Sequence, residues 1–178
     1  MRVIAGELKG RKLVSPKDER VRPTSDKVKE AIFSMITDTY YDEPVIDVFA
    51  GTGNLGIEAI SRGAKHCYFG DRARDSIGLI KENITNCKIQ DRCTILAGDY
   101  ETVLKRVPVK AQIIFLDPPY SDGLMIPAIE LISQLDLLKE DGYIIAEHSI
   151  KEELPEKIGG YEKIKEKRYG KIAVSIFG

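Results

Sequence analysis

The segment that most constrains this chain is a continuous apolar run, residues 113–116, followed by Asp117-Pro118-Pro119-Tyr120. Unbroken apolar residues predict a strand buried on both faces, as in a parallel sheet, because a half-exposed strand would alternate. The prolines cannot donate to a ladder, and they bias their predecessors towards extended geometry. We therefore expect Asp117 and Pro118 just past the carboxyl end of a central strand, where open α/β sheets bind ligands.

This strand end offers a carboxylate, a carbonyl and an aromatic ring. A planar base with an exocyclic amino group needs acceptors for two N–H bonds and a face to stack on. Asp117 and the Pro118 carbonyl can accept, and Tyr120 can stack. The alternative interpretation is a proline-rich turn with a capping aspartate.

The rest of the chain alternates short strand-like and helical patterns. Strands are expected at 45–49, 67–69, 94–97, 113–116 and 143–146, with helical spacing between them. This alternation predicts parallel strands with helices on both faces. Residues 161–168 and 171–177, separated by Tyr169-Gly170, predict a terminal antiparallel hairpin. The expected fold is α/β and Rossmann-like, with a seven-stranded, mostly parallel sheet.

The amino-terminal segment is basic. Residues 1–30 hold nine Lys/Arg against five Asp/Glu, a net of +4 in a chain whose net charge is −1. We expect a small β-hairpin whose tip presents Lys9, Arg11 and Lys12, then a helix capped within 24–26 that packs against the sheet edge. The predicted division is a basic arm over 1–24 and a main domain over 25–178. Such an arm favours a polyanionic partner, although solvated surface charge is the simpler alternative.

Composition excludes several classes of protein. No apolar run approaches the twenty residues of a membrane span, and the first residues lack a signal-peptide core. The three cysteines form no CxxC pair, and neither histidine has a partner at metal-ligand spacing. We expect a cytoplasmic monomer without a metal.

A glycine-rich segment follows the first predicted strand. Gly51, Gly53 and Gly56 match G-x-G-x-x-G, with Asp71 about twenty residues further on, as in nicotinamide-binding domains. However, Asp47 precedes this loop, and a carboxylate there disfavours a pyrophosphate. It favours S-adenosylmethionine, whose sulfonium and ammonium groups are cationic, although a helix-capping or loop-bracing aspartate is the alternative interpretation. Asp71 could bind ribose hydroxyls.

Two further groups bear on this cofactor. Asp99 could accept from an adenine amine, although a turn and helix cap would explain Gly98-Asp99 as well. Arg72 could clamp a 2′-phosphate, but Asp71 beside it would repel one, so a solvated arginine is the better interpretation. The expected cofactor-binding residues are Asp47, Phe49, Ala50, Gly51, Thr52, Gly53, Asp71, Arg72, Gly98, Asp99 and Tyr100.

Residues 47–53 and 117–120 together resemble the glycine-rich and catalytic motifs of class I S-adenosylmethionine-dependent amino-methyltransferases. The segments 2–6, 9–13, 22–26 and 54–59 narrow the resemblance to the RsmD-like family, whose members methylate N2 of a guanine in 16S ribosomal RNA. That family often has Glu at the position of Asp71 and Ser at that of Thr52. Both differences keep the functional group, a carboxylate acceptor at position 71 and a hydroxyl at position 52.

The resemblance implies a class I methyltransferase fold, S-adenosylmethionine as cofactor, and ribosomal RNA or the assembling small subunit as partner. The implied catalytic residues are Asp117, Pro118, Pro119 and Tyr120, and the expected RNA-binding residues are Arg2, Lys9, Arg11, Lys12, Arg22 and Thr24. DNA adenine or protein glutamine methylation, an NAD(P)-dependent oxidoreductase and a non-catalytic RNA-binding module are the alternatives.

Overall fold

A computed structural model describes residues 1–16, 24–119 and 123–178. Arg22 and Tyr120, both predicted site residues, lie outside these ranges. In the described residues the strands are β1 Pro44–Asp47, β2 His66–Asp71, β3 Cys93–Ala97, β4 Ala111–Leu116, β5 Leu138–Ser149, β6 Lys157–Ile158, β7 Tyr161–Tyr169 and β8 Ile172–Phe177. The helices are α1 Asp26–Met35, α2 Asn54–Ser61, α3 Arg74–Cys87, α4 Tyr100–Arg106 and α5 Met125–Gln134.

All eight strands form one sheet in the order β3-β2-β1-β4-β5-β8-β7-β6. The first five pair in parallel, and β8 pairs antiparallel with both β5 and β7. The predicted parallel sheet with a terminal hairpin is therefore confirmed, with the two-residue strand β6 as an eighth member. The edge at which β1 to β5 end is called the carboxyl edge below, and the opposite one the amino edge.

Helices cover both faces of the sheet. The apolar sides of α1, α2 and α3 pack on one face, and those of α4 and α5 on the other. The central strands β1 and β4 are almost entirely buried between the two layers, as their sequences predict, whereas the edge strand β3 is mostly half-buried. No helix among the described residues is long and apolar enough to cross a membrane.

The prediction for α1 was wrong in one respect. Ser25 caps the helix by accepting from the Val28 N–H at 3.3 Å, as expected. However, α1 lies over the middle of the sheet and not at its edge, because Phe33 packs on Phe115 of the central strand β4, with ring centroids 5.7 Å apart. The guanidinium of Arg62 lies 4.7 Å from the centre of the Phe33 ring.

The amino-terminal hairpin is reduced to one antiparallel bridge between Arg2 and Lys12. Between them the chain turns on itself, and Val3, Leu8 and Leu13 join the core that α1, α2 and α3 form. Residues 1–16 therefore pack along the main domain, and the division at residue 24 stays a prediction.

Candidate active site

The sheet order reverses between β1 and β4, so the helices that follow these two strands leave towards opposite faces. A crevice opens at such a switch point on the carboxyl edge. Asp47 is the last residue of β1, and Asp117 directly follows β4. The structure thus places the two aspartates, seventy positions apart in sequence, on neighbouring strand ends as predicted.

The glycine-rich loop joins β1 to α2 through left-handed backbone. Gly51 and Gly53 have φ angles of 61° and 84°, which favour glycine. The Gly51 N–H donates to Oδ2 of Asp71 at 2.9 Å, and the Ala73 N–H donates to Oδ1 at 2.9 Å. The Asp71 carboxylate therefore ties the glycine-rich loop to the loop after β2.

Asp47 is only 2% exposed and supports the same loop from the interior of the protein. Its Oδ2 accepts from the Gly56 N–H in the first turn of α2 at 3.1 Å. Burial raises the pKa of Asp47 to about 7, the negative charges of Asp71 and Glu147 add to the rise, and the Gly56 hydrogen bond opposes it. The Asp47 carboxylate is held at the N-terminus of α2, where negative charge is favoured, but little water can reach it.

The segment after β4 holds the predicted acceptor groups. Asp117 is partly exposed, Pro118 is buried and Pro119 is exposed. Desolvation raises the pKa of Asp117 well above its usual range, and the neighbouring carboxyl of Glu147 raises it further. Tyr120 lies outside the described residues, so the predicted stacking face stays a prediction.

Glu147, near the end of β5, is a site residue that the sequence reasoning missed. It is 3% exposed, and its carboxyl lies close enough to Asp117 to raise the pKa of that group. Its Oε2 accepts from the Thr24 hydroxyl at 3.1 Å, while Oε1 is buried without a hydrogen-bond partner among the described residues. The available signal was the one used for Asp117, a charged residue directly after an apolar strand segment.

A buried polar chain continues from this carboxyl pair towards the amino-terminal segment. Asn54 donates to the Thr24 carbonyl at 3.3 Å and accepts from Lys29 Nζ at 2.7 Å. Lys29 is fully buried and also donates to the Arg2 carbonyl at 2.7 Å, and burial lowers its pKa. No sequence signal distinguishes Lys29 from the solvated lysines of a helix.

The predicted adenine side lies at the ends of β1, β2 and β3. The ring centroids of Phe49 and Tyr100 are 6.3 Å apart, and the two rings form one wall. Asp99 caps α4, because its Oδ1 accepts from the Thr102 N–H at 2.8 Å, and this bond lowers the pKa of Asp99. Arg72 is exposed. The capping alternative for Asp99 is thus observed, and its contact with adenine stays a prediction.

The remaining predicted cofactor residues lie in or next to these loops. Ala50 donates from its N–H to the Gly70 carbonyl at 2.8 Å. Thr52 is buried, with its hydroxyl 3.8 Å from Sδ of Met1, and therefore points away from the crevice towards the amino-terminal segment. Gly98 donates to the Asp71 carbonyl at 3.0 Å and so holds the third loop against the second.

The predicted RNA-binding residues do not form one cluster. Arg2 and Lys12 line a surface cleft of about 370 Å³ together with Met1, Thr24, Ser25 and Asp26, near the carboxyl edge. The turn that carries Lys9 packs instead on Ser61, at the amino-edge end of α2, and Arg11 donates to the Asn86 carbonyl near the end of α3. The hairpin tip therefore does not present Lys9, Arg11 and Lys12 together, contrary to the expectation.

Thr24 also occupies a different environment from the one predicted. It is 7% exposed and its hydroxyl is bonded to Glu147, so its place is inside the protein and not on a phosphate-facing surface. Among the described residues, no group of three or more His, Cys, Asp or Glu side chains could hold a metal ion.

Comparison with known proteins identifies relatives over the full chain. The profile of a family described as "Conserved hypothetical protein 95" matches residues 1–178. The putative rRNA methyltransferase YlbH of Bacillus subtilis is 39% identical over 99% of this chain and 98% of its own. Ribosomal RNA small subunit methyltransferase D of Escherichia coli is 28% identical over 99% of this chain and 89% of its own.

A solved structure agrees with these matches. The putative methyltransferase yhhF from Escherichia coli superposes with a TM-score of 0.88 at 27% identity, covering 99% of this chain and 96% of that one. Profile, sequence relatives and fold all span nearly the whole chain, and the protein is therefore a member of the RsmD-like family.

Proposed function

We propose that this protein transfers a methyl group from S-adenosylmethionine to the exocyclic N2 amine of a guanine in 16S ribosomal RNA. Its relatives carry the names of ribosomal RNA methyltransferases, which supports the reaction class and the RNA. The observation that carries the proposal is the set of carboxyl groups gathered at the carboxyl edge. They are Asp47, Asp71, Asp117 and Glu147.

These groups fit the proposed cofactor. S-adenosylmethionine supplies an electrophilic methyl group on a cationic sulfonium, and its ammonium is a second cation. Acidic surroundings favour such a ligand and disfavour the pyrophosphate of a dinucleotide. Asp47 and Asp71 would hold the loop that contacts it, and the wall formed by Phe49 and Tyr100 would cover its flat ring.

The segment after β4 fits an amine acceptor. The lone pair of the N2 amine is delocalised into the guanine ring, so the amine is a weak nucleophile. Acceptance of its N–H bonds by Asp117 and the Pro118 carbonyl would orient it and stabilise the positive charge that grows on nitrogen. The base must leave its stack to enter this pocket, at a cost of a few kcal/mol that backbone contacts offset.

The first test combines product analysis with one substitution. We expect nucleosides from 16S ribosomal RNA, incubated with the protein and labelled cofactor, to contain guanosine methylated at N2 in mass spectrometry. Asp117→Ala removes the acceptor and should lower the rate by at least about 100-fold, while the cofactor still binds in calorimetry.

Asp141→Ala is the matched control, because it deletes an exposed aspartate at the amino-edge start of β5. It should change neither the rate nor the affinity. Methylated adenosine as the product would overturn the assignment of guanine, and Asp117→Ala activity within about tenfold of the parent would overturn the assigned role of Asp117.

A further inference from the structure

Two carboxyl groups lie side by side at the acceptor end of the site. Leu116 of β4 pairs with Ala146 of β5, and the next residue on each strand is an acid, Asp117 and Glu147. The residues that follow a registered pair on parallel strands lie side by side and point to the same face of the sheet, and Glu147 is 3% exposed. Glu147 is therefore held against Asp117 by the register of the sheet and not by a flexible loop.

A hydrogen bond between two carboxyl groups requires a proton on one of them, because a carboxylate has no hydrogen to donate. On Glu147, Oε2 already accepts from the Thr24 hydroxyl, which leaves Oε1 to accept from a second donor. The shared proton is then carried mainly by Asp117, between its inner oxygen and Oε1 of Glu147. This places Oε1, which otherwise has no partner among the described residues, in the shared bond.

The charged groups around the pair favour retention of this proton. Asp47 faces it from β1, and Asp71 lies beyond Asp47 on β2. Lys29 of α1 already donates to Asn54 and to the Arg2 carbonyl. Lys167 of β7 is in register with Glu147, but strand β8 lies between them. Like charges at short range cannot all ionise in a poorly solvated site, so one proton is kept.

We propose that Glu147 is a positioning residue that shares a proton with Asp117, and that the pair releases this proton when a cationic ligand binds at the carboxyl edge. The inference rests on the proposed function, since S-adenosylmethionine is such a ligand and S-adenosylhomocysteine, which lacks the sulfonium, is a weaker one. In the release, the O–H bond of the pair breaks, the electron pair stays on the carboxylate oxygen, and the proton goes to solvent.

The same pair can then complete the reaction without a further base. After methyl transfer, the N2 nitrogen carries one proton too many and the sulfonium charge is gone. The N–H bond breaks, its electron pair stays on N2, and the proton passes to Asp117 and so to the bond shared with Glu147. The product amine becomes neutral and the pair regains the proton it released, so charge balances over the cycle.

Calorimetry measures this proton directly. Binding of S-adenosylmethionine at pH 7, compared between buffers of different ionisation enthalpy, should release about one proton per site, and binding of S-adenosylhomocysteine less than about a third of that number. In Glu147→Gln the neighbour of Asp117 carries no charge and cannot share a proton. The number released should fall to about half or less of the wild-type value, and the affinity ratio between the two ligands should shrink.

Two further variants separate this role from a purely structural one. Glu147→Asp keeps a carboxyl and should recover most of the proton release, whereas Thr24→Val removes only the hydrogen bond that ties the start of α1 to β5. If Glu147 merely anchors α1, then Glu147→Gln and Thr24→Val will both lower the melting temperature and both leave the proton number at the wild-type value, which would overturn the proposal. Failure of either ligand to bind at all would instead contradict the proposed function.

Discussion

At the scale of single residues, Asp47 shows how burial of one carboxyl can oppose folding. Its pKa rises from 3.8 to about 7 in the folded protein, chiefly through burial. The folded state therefore binds more protons than the unfolded chain between about pH 4 and pH 7, and its stability falls as pH rises through that window. If the proposed cofactor binds at this edge, its positive charge would favour the ionised form and offset this cost.

Asp47→Asn should remove most of that cost. Asparagine can still accept from the Gly56 N–H, but it carries no charge to desolvate. We expect a variant that is more stable than the parent by about 1–3 kcal/mol at pH 8, with no gain at pH 4, in urea unfolding followed across this range. Cofactor affinity should fall at the same time.

Asp141→Asn, at an exposed position, is the control for this experiment and should follow the parent at every pH. An Asp47→Asn protein whose stability runs parallel to that of the parent from pH 4 to pH 8 would contradict a raised pKa at this site. The residual pH dependence of the variant should come from Asp117, whose pKa is also raised.

The candidate site was predictable from sequence where its residues follow a strand directly. Asp47, Asp71 and Asp117 each stand at a strand end, and parallel topology brings strand ends together. Glu147 also follows an apolar strand segment directly, but it belongs to none of the motifs quoted above. Thr24 and Lys29 could not be assigned, because their burial depends on how α1 lies on the sheet, and helical spacing alone does not determine that placement.

At the scale of elements, the closest packing at the site is that of α2 on β2. A Cβ atom on Gly56 would lie 2.3 Å from Cε1 of Phe69 and 2.7 Å from Sγ of Cys67. This approach sets the height of the first turn of α2 above the sheet, and with it the position of the glycine-rich loop. The third glycine of the motif thus acts through packing.

Gly56→Ala should force α2 away from β2. We expect a loss of about 1–3 kcal/mol in the free energy of unfolding and a weaker binding of cofactor, measured by denaturant titration and calorimetry. Gly78→Ala in α3, where a Cβ meets nothing within 4 Å, is the matched control. It should be neutral or stabilising by up to about 1 kcal/mol, since alanine favours helix. Equal stability of both variants would show that the close contact does not constrain α2.

Apolar periodicity predicted the five parallel strands correctly. It predicted the extent of a strand less well where polar residues enter that strand. β5 begins at Leu138, although the predicted strand covers only 143–146, because Lys-Glu-Asp at 139–141 interrupts the apolar pattern. An irregularity in the pairing with β4 between Ala111 and Ile113 accommodates this start. Because bulges depend on the neighbouring strand, the chain's own pattern does not reveal them.

At the scale of the whole molecule, basic side chains of the amino-terminal segment are divided between the two edges of the sheet. Arg2 and Lys12 lie beside the carboxyl edge, and Lys9 lies towards the amino edge. An RNA whose target base enters the pocket near Asp117 would run past the first pair. We therefore expect the salt dependence of RNA binding to come mainly from Arg2 and Lys12.

The double variant Arg2→Ala with Lys12→Ala should reduce the slope of log Kd against log salt concentration by about 1–2, as expected for two lost phosphate contacts. Lys9→Ala with Lys65→Ala removes the same charge at exposed positions of the amino edge and should leave the slope within about 0.5 of the parent. Equal slopes for the two double variants would mean that the RNA does not cross the cleft lined by Arg2 and Lys12.

The position of β8 has a consequence for biosynthesis. This strand, residues 172–177, follows the other seven described strands in sequence, yet it lies between β5 and β7 in the sheet. While a ribosome is still extending the polypeptide, one flank of β5 carries unsatisfied backbone groups, which attract other strands. The nascent protein cannot close this flank until translation has passed residue 177, and until then the flank is open to pairing with another strand.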